Sequence, residues 1–537
     1  MITCRAGRRP SYAAGHDPNP TPREPAPPYG GRRRAGPGRG DRHRHRTRRA
    51  GRRSRLPYGR HHGEGRNRPQ GRRVHPRPGT PGADARGRYP AVVQPAAWGQ
   101  PDLEYVMEGR RLAAEGYVAV TYTVRGFWLS GGEVDVAGAK DVADISTVTD
   151  WTLAHTPADP GRLGMMGLSL GAGLTLMGAA FEPRLKAVAA MSGWGDLTDS
   201  LDGADTRHLQ AAAGLTAIRL PAGRPGPPLR NAVSDLFADR DIPGLRAWAR
   251  TRSPSTYADR INAHGTAVLL QNAWGDSIFN SSQITAFYQR LTVPKRLVMR
   301  PGDHATQEAG SLFGLPGPAW STALGWFDHH LKGAPDDTGL PVRLTVLRSG
   351  RQEQYAHWRD ISTRTRRLPL AEPRTVTGGL DSGADAGTIE VSGLLDQVTG
   401  VPPLAEIPLL PATAAAVWQS PVYATTQHIR GIPRLHTTVT SSAPDGTAIA
   451  YLYDVNPLGL GALVTHAPRT WSHRPPGHPF PLDLALYATA YDLPAGHRLA
   501  VVIDTQDPLY ASASPLGSTV TFTSRPGSPS ELDVPLR

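Results

Sequence analysis

Arg162-Leu163-Gly164-Met165-Met166-Gly167-Leu168-Ser169-Leu170-Gly171-Ala172-Gly173 reads as a short apolar strand, a Gly-x-Ser-x-Gly turn and the start of a helix. A serine in that setting is lifted on a sharp turn above the end of a parallel sheet. Gly167 and Gly171 fit because strand and helix pass too close for side chains at the flanking positions. Leu163, Met165 and Met166 suit a buried parallel strand. Ala172 to Ala180 suits a helix packed tightly on it. The five-residue motif alone recurs by chance; the strand before it and the helix after it give it weight.

Outward from this turn, strands and helices alternate. Ala91-Val92-Val93, Tyr117 to Tyr122, Lys186 to Met191, Ala267 to Leu270 and Arg296 to Met299 read as strands. Asp102 to Glu115, Asp141 to His155 and Trp320 to Lys332 read as helices, the first with Leu103, Val106, Met107 and Leu112 as its apolar stripe. The alternation predicts an α/β fold with a parallel sheet covered on both faces. Between Asp196 and Ser255 it is interrupted by helical segments separated by Gly and Pro, which predicts a helical cap over 196–255; the plainer reading is a surface excursion. Farther on, Arg434 to Thr440, Thr447 to Asp454, Asp483 to Tyr491 and Arg498 to Asp504 are strand-like, with a turn at Pro444-Asp445-Gly446. They predict a β-sandwich, a jelly roll. The expected organisation is a catalytic domain over 89–336 and a sandwich over 337–537.

The charge is unevenly spread. Residues 1–90 hold 24 arginines, no lysine and 5 acidic residues, whereas the remainder holds 36 basic and 41 acidic residues. The net +14 therefore comes from the first segment, and the body is mildly acidic. Residues 1–88 are rich in Arg, Gly, Pro and His and poor in aliphatic residues, which predicts a disordered tail. The same composition is that of GC-rich codons read out of frame or ahead of the true start. On this reading, removing 1–88 leaves the function of the folded body unchanged. The tail lacks the aromatic interleaving of a single-strand binder, so no specific nucleic-acid partner is expected. Cys4 is the only cysteine, which excludes an intrachain disulfide and a Cys-rich metal site. No run of 18 apolar residues predicts a membrane span, and the first thirty residues lack the apolar core of a signal peptide.

A serine hydroxyl needs a base to take its proton. In an α/β-hydrolase, Ser is followed along the chain by an acid and then a His. After Ser169, Asp276 follows the strand-like Leu269-Leu270-Gln271-Asn272-Ala273-Trp274-Gly275, and His304 follows Val298-Met299-Arg300-Pro301-Gly302-Asp303. The candidates are Ser169 as nucleophile, His304 as base and Asp276 as its orienting acid. Asp276 could instead cap a helix at Ile278, and Asp303 is the competing acid. The oxyanion donors are expected to be the backbone N–H of Leu170 and a group on the Gln94 to Gly99 loop, where the indole of Trp98 is the candidate. Trp194 and Trp274 are candidate substrate-pocket residues. No metal and no cofactor is expected.

These motifs together resemble the CocE/NonD hydrolases, the X-Pro dipeptidyl-peptidase and cocaine-esterase-like family. The resemblance covers roughly Tyr89 to Arg537. Beside the elbow and the acid and histidine loops, it rests on Arg125-Gly126 with Ser130-Gly131-Gly132-Glu133, on Asp141 to Trp151, on Trp326 to Gly333, and on Ala495-Gly496-His497-Arg498-Leu499. It implies an α/β-hydrolase domain with a cap, a C-terminal jelly roll, and acyl transfer to water from esters, amides or X-Pro peptides. Three features depart from it: Trp98 stands at the family's oxyanion tyrosine, Leu170 follows the nucleophile where Tyr is frequent, and no hairpin is recognisable before Tyr89. The resulting expectation is a serine hydrolase acting on a small ester or short peptide; the alternative is an inactive, ligand-binding member. A dipeptidyl-peptidase needs carboxylates for the substrate amine, and Asp196, Asp199 and Asp202 are the candidates. The oligomeric state is not legible.

Overall fold

The computed structural model describes residues 54–55, 69–336 and 339–537. Among the described residues, the N-terminal part is built on one ten-stranded sheet. Its strands are β1 (Ser54–Arg55), β2 (Gln70–Val74), β3 (Tyr89–Pro95), β4 (Val118–Thr123), β5 (Ala158–Leu168), β6 (Leu185–Met191), β7 (Ala267–Ala273), β8 (Lys295–Arg300), β9 (Val342–Thr345) and β10 (Gln352–Tyr355). They lie in the order β1-β2-β4-β3-β5-β6-β7-β8-β9-β10. The block from β3 to β9 is parallel, and β2 and β10 pair antiparallel near its edges. β4 and β7 are buried along their whole length, as expected for strands covered on both faces.

The helices are α1 (Val106–Ala114), α2 (Ala139–His155), α3 (Leu170–Phe181), α4 (Leu197–Asp202), α5 (Leu209–Gly214), α6 (Pro227–Ala238), α7 (Ile242–Arg250), α8 (Ala258–His264), α9 (Ser281–Arg290), α10 (Thr306–Leu312), α11 (Pro318–Lys332) and α12 (Val391–Thr399). Two apolar clusters sandwich the sheet. Ile145, Val148, Leu174, Ile261 and Phe287 from α2, α3, α8 and α9 fill one face. Leu112, Trp320 and Phe327 from α1 and α11 fill the other. Burying each such side chain stabilises by roughly 1.5–3 kcal/mol, so the faces rather than helix propensity hold these elements in place. Helices α4 to α7 form the cap between β6 and β7. The C-terminal part is a β-sandwich whose sheets have eight and five strands. Among the described residues, no helix is long and apolar enough to cross a membrane.

Four expectations are corrected. The tail does not extend to 88. β2 pairs with β4 from Gln70↔Thr123 to Val74↔Ala119, Gln70 N–H donates to Ser130 Oγ at 2.8 Å, and Arg72 pairs with buried Asp102 at 2.7 Å. Most of the tail expectation, residues 1–53 and 56–68, lies outside the described residues. The N-terminal sheet also continues past 336, because β9 and β10 belong to it. The expected strand Asp483 to Tyr491 is two strands, Phe480–Ala485 and Thr489–Leu493. The chain breaks between them because Ala488 turns to exchange hydrogen bonds with Ser281 and Ser282 of α9. Finally, α1 starts at Val106. Asp102 N–H is taken by Thr123 Oγ1 and the Glu104 carboxylate by Ala97 N–H, which leaves Leu103 and Met107 exposed.

A chain starting at Tyr89 therefore loses β2, one of the two neighbours of β4, and the Arg72 partner of Asp102. We expect it to melt at least several degrees below a chain starting at residue 54. Thermal melts of the two truncations, followed by circular dichroism, check this.

Candidate active site

Ser169 sits where β5 ends and α3 begins, with φ 57° and ψ −118°. Such a backbone is costly for a residue with a Cβ and persists only where the surroundings impose it. Here the imposition is close packing. A Cβ on Gly167 would meet Gly171 C at 2.4 Å, and one on Gly171 would meet Pro95 O at 2.3 Å. The two glycines let β3, β5 and α3 converge, and the serine takes the strained turn between them. Leu168 N–H donates to the buried Tyr105 hydroxyl at 3.0 Å, which ties the turn to the α1 side of the sheet.

Asp276 and His304 come from the loops after β7 and β8 and meet this serine. His304 Nε2 lies 2.9 Å from Ser169 Oγ, and His304 Nδ1 lies 3.2 Å from Asp276 Oδ2. All three side chains are buried. The capping role weighed for Asp276 coexists with its position behind the histidine. Its Oδ1 accepts N–H bonds from Ile278 and Phe279 at 3.0 and 2.8 Å, while Oδ2 faces the imidazole. The Phe279 ring stands edge-on to His304 at 5.1 Å. Burial alone pushes the imidazole down; the charge and hydrogen bond of Asp276, helped by Glu390 and Asp303, outweigh it, and the net direction is up.

Asp303, the competing acid, points elsewhere. Its Oδ1 accepts from Ser277 N, Ser277 Oγ and His304 N at 2.7, 2.7 and 2.6 Å, bracing the acid loop against the histidine loop. Burial and the nearby Asp276 charge raise its carboxyl to about 6.

Sequence reasoning missed Glu308. It lies on α10 with no motif to mark it, fully buried, and its Oε2 accepts from Ser192 Oγ at 3.1 Å. Burial raises its carboxyl to about 7 from an ordinary 4.5. Below pH 4.5 it is neutral folded or unfolded. Between 4.5 and 7 only the unfolded chain ionises, so stability falls as pH rises and the full cost is present above 7. Glu308→Gln is expected to gain about 1–3 kcal/mol relative to the wild type at pH 8 and almost nothing at pH 4.5. Denaturant melts at the two pH values check it.

Two spaces meet at Ser169. One is a chamber of about 100 Å3 under the cap, lined by Leu170, Trp98 and Trp194 and by cap residues. The other is an open cleft of about 550 Å3, lined by His304, Glu104, Leu312, Phe313 and Glu390. The expected pocket residues divide. Trp194 lines the chamber with its indole N–H donated to Arg252 O. Trp274 does not line it: its indole donates to Thr345 O, and it borders a separate cavity behind Asp276 with His208, His466 and Tyr487. The indole expected to serve the oxyanion is also committed, since Trp98 Nε1–H donates to Leu215 O of the cap at 3.0 Å. Leu170, at the first position of α3, has no helical acceptor for its N–H. Among the described residues, no group of three or more His, Cys, Asp or Glu is placed to hold a metal ion.

The Arg125 loop is anchored rather than reactive. Arg125 holds Asp144 through two bonds of 2.8 Å and lies 3.9 Å from Asp141, while Asp141 accepts Ala137 N–H. This buried cluster fixes the loop that packs Phe127 on Trp98, ring centroids 5.1 Å apart.

Residues 70–306 match the profile of the X-Pro dipeptidyl-peptidase (S15) family, and residues 412–527 match the X-Pro dipeptidyl-peptidase C-terminal non-catalytic domain. A Mycobacterium bovis protein that carries a provisional serine esterase name is 28% identical over 301 residues, 48% of this chain and 47% of that protein. The chain spans about half the length of the curated relatives it matches. The fold is that of an α-amino acid ester hydrolase (TM-score 0.64, 16% identity, 87% of this chain and 94% of that one). It is equally that of a CocE/NonD family hydrolase from Staphylococcus aureus (TM-score 0.63, 14% identity, 87% and 91%). Sheet and sandwich are thus each matched by a domain model of the same peptidase type.

Proposed function

We propose that the chain is a serine hydrolase that transfers an acyl group from an ester, amide or X-Pro peptide to water through Ser169, His304 and Asp276. The observation that carries this is the line from a serine on a strained elbow, through an imidazole 2.9 Å away, to a buried carboxylate at its other nitrogen. His304 takes the proton of Ser169 Oγ as the oxygen attacks the carbonyl carbon, and Asp276 stabilises the imidazolium. The negative charge that develops on the carbonyl oxygen is held by the Leu170 N–H, at the positive end of α3. His304 then protonates the departing group, an acyl-Ser169 ester remains, and a water activated by the same imidazole hydrolyses it.

A fluorophosphonate probe tests this, because only an activated serine reacts. Labelling of the folded chain at the peptide containing Ser169, lost in His304→Ala, supports the assignment. A folded chain that takes no label is the ligand-binding alternative, and label on another serine refutes Ser169.

A further inference from the structure

We infer that the acyl half of the substrate is apolar and uncharged, so that this chain cleaves esters of small branched carboxylic acids rather than releasing dipeptides with a free amino terminus. The inference rests on the acyl-transfer reading above. It comes from how the two spaces at Ser169 divide the substrate.

The departing group must receive its proton from His304, and His304 lines the open cleft. The cleft therefore takes the leaving group, and the acyl group falls to the chamber under the cap. That chamber is closed by Leu201, Leu229, Leu236 and Trp248 above Trp98 and Trp194. Beside Ser169, its polar groups among the described residues are the hydroxyls of Ser200 and Thr216 and the indole of Trp248, whose buried N–H has no hydrogen-bond partner there. Both hydroxyls are already donated, Ser200 Oγ to Asp196 O and Thr216 Oγ1 to Ala212 O. Among the described residues, no carboxylate lines it.

The three cap aspartates expected to hold a substrate amine are engaged elsewhere. Asp196 caps α4 and accepts from Ser253 and Ser255. Asp199 accepts from the Asn280 amide, and Asp202 pairs with Arg246 at 2.6 Å. The carboxylates that do lie beside Ser169, Glu104 and Glu390, border the cleft, on the leaving-group side of the scissile bond. An ammonium on the acyl side would enter an apolar space without a counter-charge, which is strongly unfavourable. Size agrees with this. An apolar cavity of about 150 Å3 holds a benzene, and this chamber, about 100 Å3, suits a smaller branched acyl group.

The test compares phenyl esters of 2,3-dimethylbutanoic acid and of valine on the full chain at pH 6.5. The two acyl groups differ by a methyl in place of an ammonium. We expect kcat/KM about 100-fold higher for the uncharged ester, and any ratio of tenfold or more supports the inference. A smaller ratio overturns it, as does faster turnover of Ala-Pro-anilide than of its desamino counterpart propanoyl-Pro-anilide. If no substrate is turned over, the hydrolase reading fails, and the chamber is judged by binding alone with 2,3-dimethylbutanamide and valinamide. A thermal upshift with the uncharged amide only supports it; an upshift with valinamide, or with neither, overturns it.

Discussion

Ser169→Ala is expected to lower kcat/KM about 10⁶-fold, the scale seen when the nucleophile is removed from a serine triad. The fold should survive the change. Alanine keeps the Cβ, so the cost of φ 57° is not altered, and the lost hydroxyl gives up its bond to His304 Nε2. Residual turnover of about 10³ to 10⁴ over water should remain from the Leu170 N–H and the chamber. The measurement pairs ester kinetics with a thermal melt. A variant that melts like the wild type and retains more than a hundredth of its activity would remove Ser169 from the mechanism.

The second large effect separates two neighbouring carboxylates. Asp276→Asn is expected to cost about 10⁴-fold in rate, because the amide no longer fixes the imidazole tautomer or stabilises its charge. Asp303→Asn should cost far less, since Asp303 braces Ser277 and the His304 backbone and does not reach the ring. The pH profile carries a second signature. The base must be neutral, and the net effect of its surroundings holds protonated His304 above its ordinary 6.5, so the acid limb of kcat/KM should have its midpoint above 6.5. Removing the Asp276 charge should move that midpoint down. Profiles from pH 5 to 9 for wild type and both variants check the pair; a limb unmoved in Asp276→Asn, or an Asp303→Asn loss as large as that of Asp276→Asn, would reassign the acid.

The elements legible in the sequence are those whose local pattern and tertiary role agree. The run into Ser169 is apolar because β5 is buried, and its glycines are required by backbone contact, so pattern and structure coincide. Asp276 and His304 were legible because each follows a buried strand at the same end of a parallel sheet. What was hidden depends on partners distant in the chain. β2 reads as Arg-rich coil, and its place comes from Thr121 and Val120 across the ladder and from Asp102. Trp98 carries an indole N–H suited to an oxyanion, yet its acceptor at Leu215 is 117 residues away. Trp274 lies two residues from the acid but faces the other side of the loop. Glu308 has no sequence signature, because a buried glutamate on a short helix is recognised only from what surrounds it.

The acid loop has a further property that bears on how such a protein can be divided. Ser277, next to Asp276, donates its hydroxyl to Asp303 and accepts Glu390 N–H from the segment leading into α12. A few residues on, Ser281 and Ser282 exchange bonds with Ala488 of the sandwich. The scaffold that aims the carboxylate is thus split between two parts of the chain, one of them matched to a domain described as non-catalytic. The C-terminal half cannot be treated as a detachable module. A chimaera that borrows the sandwich of a relative inherits a different clamp on the acid loop, and its rate should vary with that clamp even when every residue touching substrate is unchanged.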